Sequence, residues 1–237
     1  MFNKLFNLLF PKGYSCLCCG MDVFDNPYDI CEACKNDLPF LKGNICVRCG
    51  EPFEADGMVC KRCKKKEIVY DRALAPFEYS DEIKNLIVGL KHHKKTYHAK
   101  ALSRFMVDAF VSSGLYADYI IPVPLCDKRF KERGFNQSEL LANEITRVLN
   151  VPMLTSVLYR VKETPRQQDL DFKERQINIK DAFKVKSKKE IKNKFVLLVD
   201  DVYTTGATAT ECARELKLAG AKAVYVLTAA HTLVGKE

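Results

Sequence analysis

The segment from Val196 to Thr208 (VLLVDDVYTTGAT) combines acidic, small and hydroxyl-bearing residues in a pattern that can bind a phosphate group. Its four apolar residues predict a buried parallel strand, and Asp200 and Asp201 follow at the carboxyl end of that strand. The candidate phosphate loop then opens a predicted helix and consists of Thr204, Thr205, Gly206, Ala207 and Thr208. Because backbone N–H groups at a helix N-terminus attract anions, this turn predicts a phosphate-binding site.

An apolar strand followed by an acid is also typical of the magnesium-binding strand of a nucleotide hydrolase. That class of protein requires a G-x-x-x-x-G-K-[ST] loop, and the sequence contains none. We therefore interpret the whole thirteen-residue segment, rather than the acidic pair alone, as the phosphate-binding signature.

Two further segments carry cationic and amide groups that can donate hydrogen bonds to a polyphosphate. One follows the strand-end sequence Pro122-Val123-Pro124, and the other is the polar stretch from Arg160 to Asn178, which suits a lid over a charged ligand. The cationic candidates in the two segments are Lys128, Arg129, Arg133, Arg160 and Arg166. The alternatives are a basic surface loop and a solvated polar linker.

Eight of the eleven cysteines form Cys-x-x-Cys pairs, a pattern typical of metal sites in a reducing compartment. The pairs are Cys16 with Cys19, Cys31 with Cys34, Cys46 with Cys49, and Cys60 with Cys63. The unit CxxCG…CxxCK occurs twice, which favours one tetrahedral zinc ion per unit, although cross-braced pairing stays open because the gaps are similar. Eight thiolates leave no open coordination position, so both zinc ions should be structural.

Composition narrows the function classes further. Each zinc tetrathiolate carries a charge of −2, so two sites reduce the formal net charge from +8 to +4, which does not by itself indicate a nucleic-acid-binding protein. The apolar N-terminus, residues 1–11, is too short and too polar for a signal peptide and predicts a short amphipathic helix. No stretch reaches the about 20 apolar residues of a membrane span, so we expect a cytoplasmic protein.

The elements that must position these groups alternate between strands and helices. Apolar spacing predicts helices over Asp81–Lys91, Lys100–Val111, Gln137–Leu149 with Asn136 as N-cap, and Ala207–Leu218. Short apolar runs predict strands at Tyr119–Ile121, Met153–Leu158, Phe183–Val185, Phe195–Val199 and Ala223–Leu227. This order predicts an α/β fold with a mostly parallel sheet covered on both faces, with ligands bound beyond the carboxyl ends of the strands.

Three motifs, in this order behind the cysteine repeat, resemble the ComF (ComFC) competence family: PVPL…R..RGFNQ, R..ET..Q..L…R..N and LLVDDVYTTGAT. The resemblance implies a double zinc ribbon with an N-terminal helix over residues 1–68 and a domain of the type I phosphoribosyltransferase kind over residues 69–237. It further implies that the small residues of the phosphate loop bind the 5′-phosphate of phosphoribosyl pyrophosphate (PRPP). The acids would then face the ribose hydroxyls and Mg²⁺, and the first cationic segment would receive pyrophosphate.

The resemblance also implies a role in natural competence, in which incoming single-stranded DNA is handled in the cytoplasm beside a helicase-type protein that the zinc module could dock. The alternative is an active phosphoribosyltransferase that depends on Mg²⁺ and PRPP and uses an unknown nitrogen acceptor. Purine-type members of that class have a carboxylate base at the position of Thr204, so no base for a purine is evident. This chain also has His231 where the resemblance leads us to expect an arginine.

Overall fold

The structure is a computed structural model, and it describes residues 15–24, 26–65, 68–92, 95–162 and 179–233. Three sequence predictions lie outside the described residues: the N-terminal amphipathic helix, Arg166, and most of the proposed lid.

The helices and strands follow the predicted alternation. The helices in the described ranges are α1 (Glu32–Asn36), α2 (Lys61–Lys65), α3 (Asp81–His92), α4 (His98–Ser112), α5 (Asp127–Arg133), α6 (Gln137–Leu149), α7 (Lys188–Ile191) and α8 (Ala207–Leu218). The strands are β1 (Arg72–Leu74), β2 (Phe77–Glu78), β3 (Tyr119–Pro122), β4 (Leu158–Arg160), β5 (Phe183–Val185), β6 (Phe195–Tyr203) and β7 (Ala223–His231). The predicted bounds of α6 and α8 are confirmed, as is the strand β5.

A five-stranded parallel sheet forms the centre of the molecule, as the alternating pattern predicts. Its order is β1-β7-β6-β3, with β2 also pairing with β7. Strands β4 and β5 form a separate antiparallel pair. The pairing of β3 with β6 ends at Pro122 and Val199, whereas β6 stays paired with β7 as far as Tyr203. The sheet therefore has an open corner at the carboxyl end of β3, next to Asp200.

Three strand predictions need correction. Strand β7, predicted over Ala223–Leu227, continues to His231. Strand β6 continues through Asp200 and Asp201 to Tyr203, because β7 continues beside it and offers backbone partners. The predicted strand Met153–Leu158 is wrong over most of its length. Met153 forms a single bridge with Ile120, since the preceding residue is a proline that cannot donate to a ladder, and β4 begins only at Leu158.

Alternate residues of the strands face two separate hydrophobic cores. On one face, Leu198 and Val226 pack with α8 and with the cysteines of the second ribbon, Cys46 to Cys63. On the other face, Leu197 and Leu227 pack with α3, α4, α6 and residues of the first ribbon, Cys16 to Cys34. The two ribbons thus cover opposite faces of one sheet. The boundary near residue 68 stays a prediction.

None of the helices in the described ranges is long and apolar enough to cross a membrane.

Candidate functional site

A cleft of about 370 Å³ opens at the carboxyl edge of the sheet, where β3 ends before β6. It brings together the following sequence-predicted residues: Arg129, Arg133, Arg160, Asp200, Asp201, Thr204, Gly206, Ala207 and Thr208. These residues come from β4, β6, α5, α8 and the loop before α8, so the fold joins all three predicted segments. A site that contains two carboxylates and three guanidinium groups is suited to a ligand that combines anionic groups with a divalent cation.

The two acids have different surroundings. Asp200 is half-buried, and its Oδ1 accepts hydrogen bonds from the Ser138 hydroxyl and from the Asp201 amide, both at 2.9 Å. Burial raises the pKa of the Asp200 carboxyl to about 7, and the Asp201 carboxylate adds to the rise. The hydrogen bonds from the Asp201 amide and the Ser138 hydroxyl and the positive charge of Lys91 oppose it. Asp201 is buried, and the ammonium group of Lys91 pairs with its carboxylate. The acids therefore have one hydroxyl and one ammonium partner inside the cleft.

The phosphate loop is shaped by a glycine in the left-handed region. Gly206 is the N-cap of α8 with φ of 74°, and as a glycine it has no side chain that could cap the helix. A Cβ atom at Gly206 would overlap the phenol group of Tyr203, so the loop can approach that ring only because this position is a glycine. Thr205 is buried outside the cleft lining, and its hydroxyl accepts a hydrogen bond from the Ala207 amide at 3.3 Å. The first turn of α8 lines the cleft.

The arginines of α5 approach the cleft from the side of β3. Arg129 and Arg133 are half-buried, and Arg133 Nη1 donates to Gln137 Oε1 at 2.8 Å. Asn136 confirms its predicted N-cap role, because its side chain accepts from the Ser138 amide at 3.1 Å and its Nδ2 donates to the Val123 carbonyl at 3.0 Å. These bonds tie the start of α6 to the loop that follows β3.

Two other predicted cations have different positions. Lys128 is exposed on α5 and is not part of the cleft lining, whereas Arg160 reaches the cleft from β4. The Arg160 guanidinium lies 5.5 Å from the centre of the Phe183 ring. Burial, with a smaller contribution from the charge of Arg129, lowers the pKa of Arg160. An anionic ligand in the cleft would therefore relieve repulsion between two neighbouring cations.

Sequence reasoning did not assign Lys91 or Ser138 to the site. Lys91 lies in the last turn of α3, and only the packing of that helix shows that its ammonium group reaches Asp201. Ser138 is fully buried in the first turn of α6. Its position two residues after the predicted N-cap was the available signal, since an N-terminal turn beside a strand end often faces a ligand site.

The cysteines form two separate groups of four, which decides between the two zinc pairings. Each group belongs to one repeat unit: Cys16, Cys19, Cys31 and Cys34 form the first, and Cys46, Cys49, Cys60 and Cys63 form the second. Tetrahedral coordination at about 2.3 Å separates the sulfur atoms by about 3.8 Å. The sulfur atoms of Cys19 and Cys31 are 3.8 Å apart, and those of Cys49 and Cys60 are 3.7 Å apart, so both groups fit zinc.

The two zinc sites differ in burial. Cys19 of the first site is exposed, and Cys31 and Cys34 are half-buried, whereas all four cysteines of the second site are buried. A buried imidazole also contacts the second site, because His231 Nε2 lies 3.1 Å from the Cys49 carbonyl oxygen. Burial, helped by the nearby charge of Arg62, lowers the pKa of His231 to about 4, so this imidazole is neutral.

A double cysteine repeat ahead of a parallel α/β sheet, with an acid pair and a glycine turn at the sheet edge, defines a class of protein that joins a double zinc ribbon to a parallel α/β domain. A family model described as "Double zinc ribbon domain" matches residues 5–64. The chain is 32% identical over 223 residues to "DNA utilization protein YhgH" of Escherichia coli (strain K12), which covers 92% of this chain and 97% of the relative.

It is also 31% identical over 220 residues to "Competence protein F" of Haemophilus influenzae, with 90% of this chain and 95% of the relative covered. "Competence protein ComFC" of Bacillus subtilis is 28% identical over 195 residues, with 78% and 76% covered. The chain therefore belongs to the ComF competence family, whose members are named as competence and DNA-utilization proteins.

Among solved structures, the chain is similar to a glutamine PRPP amidotransferase from Bacillus subtilis, with a TM-score of 0.36, 20% identity, and coverage of 53% of this chain and 24% of that one. A purine phosphoribosyltransferase from Pyrococcus horikoshii gives a TM-score of 0.33 and 17% identity, with 53% and 66% covered.

Proposed function

We propose that this ComF-family protein acts in the cytoplasm during DNA uptake, where it binds a PRPP-type ligand with Mg²⁺ in the cleft and handles single-stranded DNA. The observation that supports the ligand proposal is the convergence of three distant segments on one cleft. The acid pair, the glycine turn before α8 and three arginines all line it, although they are separated by up to 79 positions, from Arg129 to Thr208.

The chemistry of each wall suggests a role. The amides at the start of α8, with the hydroxyls of Thr204 and Thr208, suit a terminal phosphate. Asp200 and Asp201 supply the carboxylate oxygens that Mg²⁺ prefers, and the ion would neutralise them beside the ligand. The pyrophosphate would contact the guanidinium groups, which can form paired hydrogen bonds with phosphate oxygens. In the proposed complex the cationic contacts are Arg129, Arg133 and Arg160 in the cleft, with Lys128 and Arg166 as further candidates.

Calorimetric titration with Mg²⁺ and PRPP tests this proposal. We expect saturable binding to the wild type and at least about a tenfold loss in the double variant Asp200→Ala/Asp201→Ala, since two charge-assisted contacts are removed. The control is Asp56→Ala, which removes an exposed carboxylate from the second ribbon and should change the affinity less than twofold. Equal binding by the wild type and the double variant would contradict the proposed site.

The DNA proposal is supported by family membership and by the basic surface of the second ribbon. The names of the relatives refer to competence and DNA utilization. Helix α2 exposes Lys61, Lys64 and Lys65 beside the last cysteine knuckle. Exposed lysines on a short helix can contact DNA backbone phosphates without reading sequence.

We also propose that the zinc-ribbon module docks a helicase-type competence protein.

Fluorescence anisotropy with a labelled oligothymidylate tests the DNA proposal. We expect the logarithm of the association constant to fall linearly with the logarithm of the salt concentration. The triple variant Lys61→Ala/Lys64→Ala/Lys65→Ala should bind more weakly and with a shallower slope, because phosphate contacts are removed. The matched control is Lys84→Ala on α3, which is exposed and lies outside this cluster. Affinity that does not respond to salt would count against phosphate-based binding.

An active phosphoribosyltransferase remains the alternative function. Among the described residues that line the cleft, Asp200 and Asp201 are the carboxylates, and Thr204 stands where purine-type enzymes have a third. This arrangement favours an acceptor that needs no protein base. The test is pyrophosphate release from Mg²⁺ and PRPP in the presence of nucleobases, orotate, amides or ammonia. Release that depends on one acceptor would establish the enzyme, and release with none of them would favour a binding role.

A further inference from the structure

We propose that the second zinc ribbon is a structural support for the phosphate loop, and that Tyr70, Tyr203 and His231 are positioning residues that connect the ribbon to Gly206. This inference rests on the proposed phosphate-binding function of the cleft. It assigns the two zinc sites different roles, because among the described residues only the cysteines of the second site belong to the core that contains the start of α8.

The second ribbon packs as part of the α/β core. Its four cysteines belong to the same buried cluster as Tyr203, Ala207 and Ala209, which surround the start of α8. The backbone approach is close, because a Cβ at Gly50 would lie 2.7 Å from the Ala73 carbonyl oxygen of β1. The Ala73 amide also donates to the Arg48 carbonyl at 2.7 Å. A shift of this ribbon would therefore move the edge of the sheet.

A continuous set of contacts leads from the ribbon to the loop. The imidazole of His231 lies against the Cys49 carbonyl oxygen and stacks on the ring of Tyr203, with centroids 4.4 Å apart and an interplanar angle of 23°. The Tyr203 hydroxyl is hydrogen-bonded to the Tyr70 hydroxyl at 2.6 Å. The same phenol group fills the space that a side chain at Gly206 would need. Tyr203 is thus fixed from the ribbon side and contacts the loop on its other side.

A half-buried arginine lies in the same cysteine knuckle. Arg62 lies between the ligands Cys60 and Cys63, and its guanidinium is 2.9 Å from the Glu51 carboxylate. The aromatic rings therefore pack against a knuckle whose shape depends on the metal, since structural zinc supplies folding free energy to such small modules.

The first ribbon makes different contacts. Its Tyr28 ring packs against Phe105 of α4, with centroids 4.4 Å apart, and the Tyr28 hydroxyl donates to Asp108 at 2.8 Å. Lys100 of α4 pairs with Asp29 at 3.0 Å. These contacts lie on the opposite face of the sheet from α8. Tyr28 is consequently a matched control, because its hydroxyl joins the first ribbon to the domain in the way that Tyr70 joins the second-ribbon side to Tyr203.

The experiment compares full-length Tyr70→Phe, His231→Phe and Tyr28→Phe proteins with the wild type. Three quantities are measured: zinc per chain, hydrogen exchange of the amides of residues 204–208, and affinity for Mg²⁺ with PRPP. Tyr70 and His231 lie outside the cleft lining, so they do not contact the ligand directly. We expect Tyr70→Phe and His231→Phe to retain two zinc ions, to exchange about fivefold faster in the loop and to bind about fivefold more weakly.

The control and a conservative variant complete the test. Tyr28→Phe should change loop exchange and affinity less than twofold, and His231→Gln should restore both because glutamine can donate to the Cys49 carbonyl. The inference is overturned if Tyr70→Phe and Tyr28→Phe have the same effect on loop exchange. If the wild type does not bind PRPP, the proposed ligand is wrong and loop exchange alone decides the inference. If Tyr70→Phe loses zinc or unfolds, the comparison of loop exchange between His231→Phe and His231→Gln decides the inference.

Discussion

Asp200 is a carboxylate whose ionisation opposes folding of the ligand-free protein. Its folded pKa of about 7 lies above its ordinary value of 3.8, so the folded state holds the proton more tightly than the unfolded state. Because the unfolded state loses this proton at a lower pH than the folded state, the free energy of unfolding falls as the pH rises from about 4 to about 7. Above about pH 7 the Asp200 carboxyl causes no further change. An acidic side chain at a position where its charge lowers stability is typical of a functional site.

The Asp200→Asn variant should therefore be more stable than the wild type, by an amount that grows between pH 5.5 and pH 7.5. The amide cannot ionise, and its Oδ1 can still accept from Ser138. Chemical unfolding of the zinc-loaded proteins at several pH values measures the difference, with Asp56→Asn as the control because Asp56 is exposed. A stability difference that does not change with pH would contradict the assignment.

Gly206 is restricted both by its backbone and by its neighbour. An alanine at φ of 74° is strained, and its Cβ would also overlap Tyr203. Gly206→Ala should destabilise the protein by about 1–2 kcal/mol from backbone strain alone, and by more if the ring cannot move. Gly114→Ala is the matched control, since φ is 69° there and no atom lies within 4 Å of the added Cβ.

Both glycine variants are compared by urea unfolding and by titration with Mg²⁺ and PRPP. We expect Gly114→Ala to lower stability without changing affinity, whereas Gly206→Ala should lower both. Identical effects of the two substitutions would mean that the contact between Gly206 and Tyr203 has no importance for the loop.

At the scale of elements, the two ribbons share one cysteine pattern but differ in environment. We expect a chelator or a thiol reagent to remove zinc in two phases, with the first site losing its ion faster because Cys19 is exposed. The second site should react slowly, since Cys49 and its partners are buried in the domain core. A zinc-sensitive dye follows the release.

The variant Cys34→Ser assigns the phases, because it removes a ligand of the first site only. It should abolish the fast phase and preserve the slow one. A single phase in the wild type would show that the difference in burial does not control access to the two ions.

The order of the elements could largely be predicted from the sequence, because helix and strand periodicity are local properties. Asn136 identified the start of α6 since an N-cap acts on amides two residues away. The end of β6 could not be predicted in this way. Asp200 and Asp201 are poor strand formers by composition, and they are extended only because β7 continues beside them.

At the scale of the whole molecule, each ribbon completes a core that the sheet alone cannot cover. Removing residues 1–68 would expose both the cluster around Tyr203 and the cluster around Phe105. We expect a fragment of residues 69–237 to be unable to form a stable fold, whereas a fragment of residues 42–237 should retain more structure because it keeps the second ribbon. Circular dichroism and thermal unfolding in the presence of zinc compare the two fragments.

Equal stability of these fragments would contradict the idea that the second ribbon belongs to the core. The comparison also affects tests of helicase docking, since loss of partner binding after removal of residues 1–68 could result from unfolding. Docking is better tested with full-length proteins that carry surface substitutions in α2.

By itself, the sequence determined the chemistry of the candidate site, the zinc ligands, the parallel α/β class and the family, because these depend on residue types at short, fixed spacings. Only the tertiary structure decided that the cysteines of each repeat form one zinc-binding group, that Lys91 and Ser138 contact the acids, and that the second ribbon packs against the start of α8. The physical reason is that these contacts join residues distant along the chain, and their geometry is fixed by which side chains fill each face of the sheet.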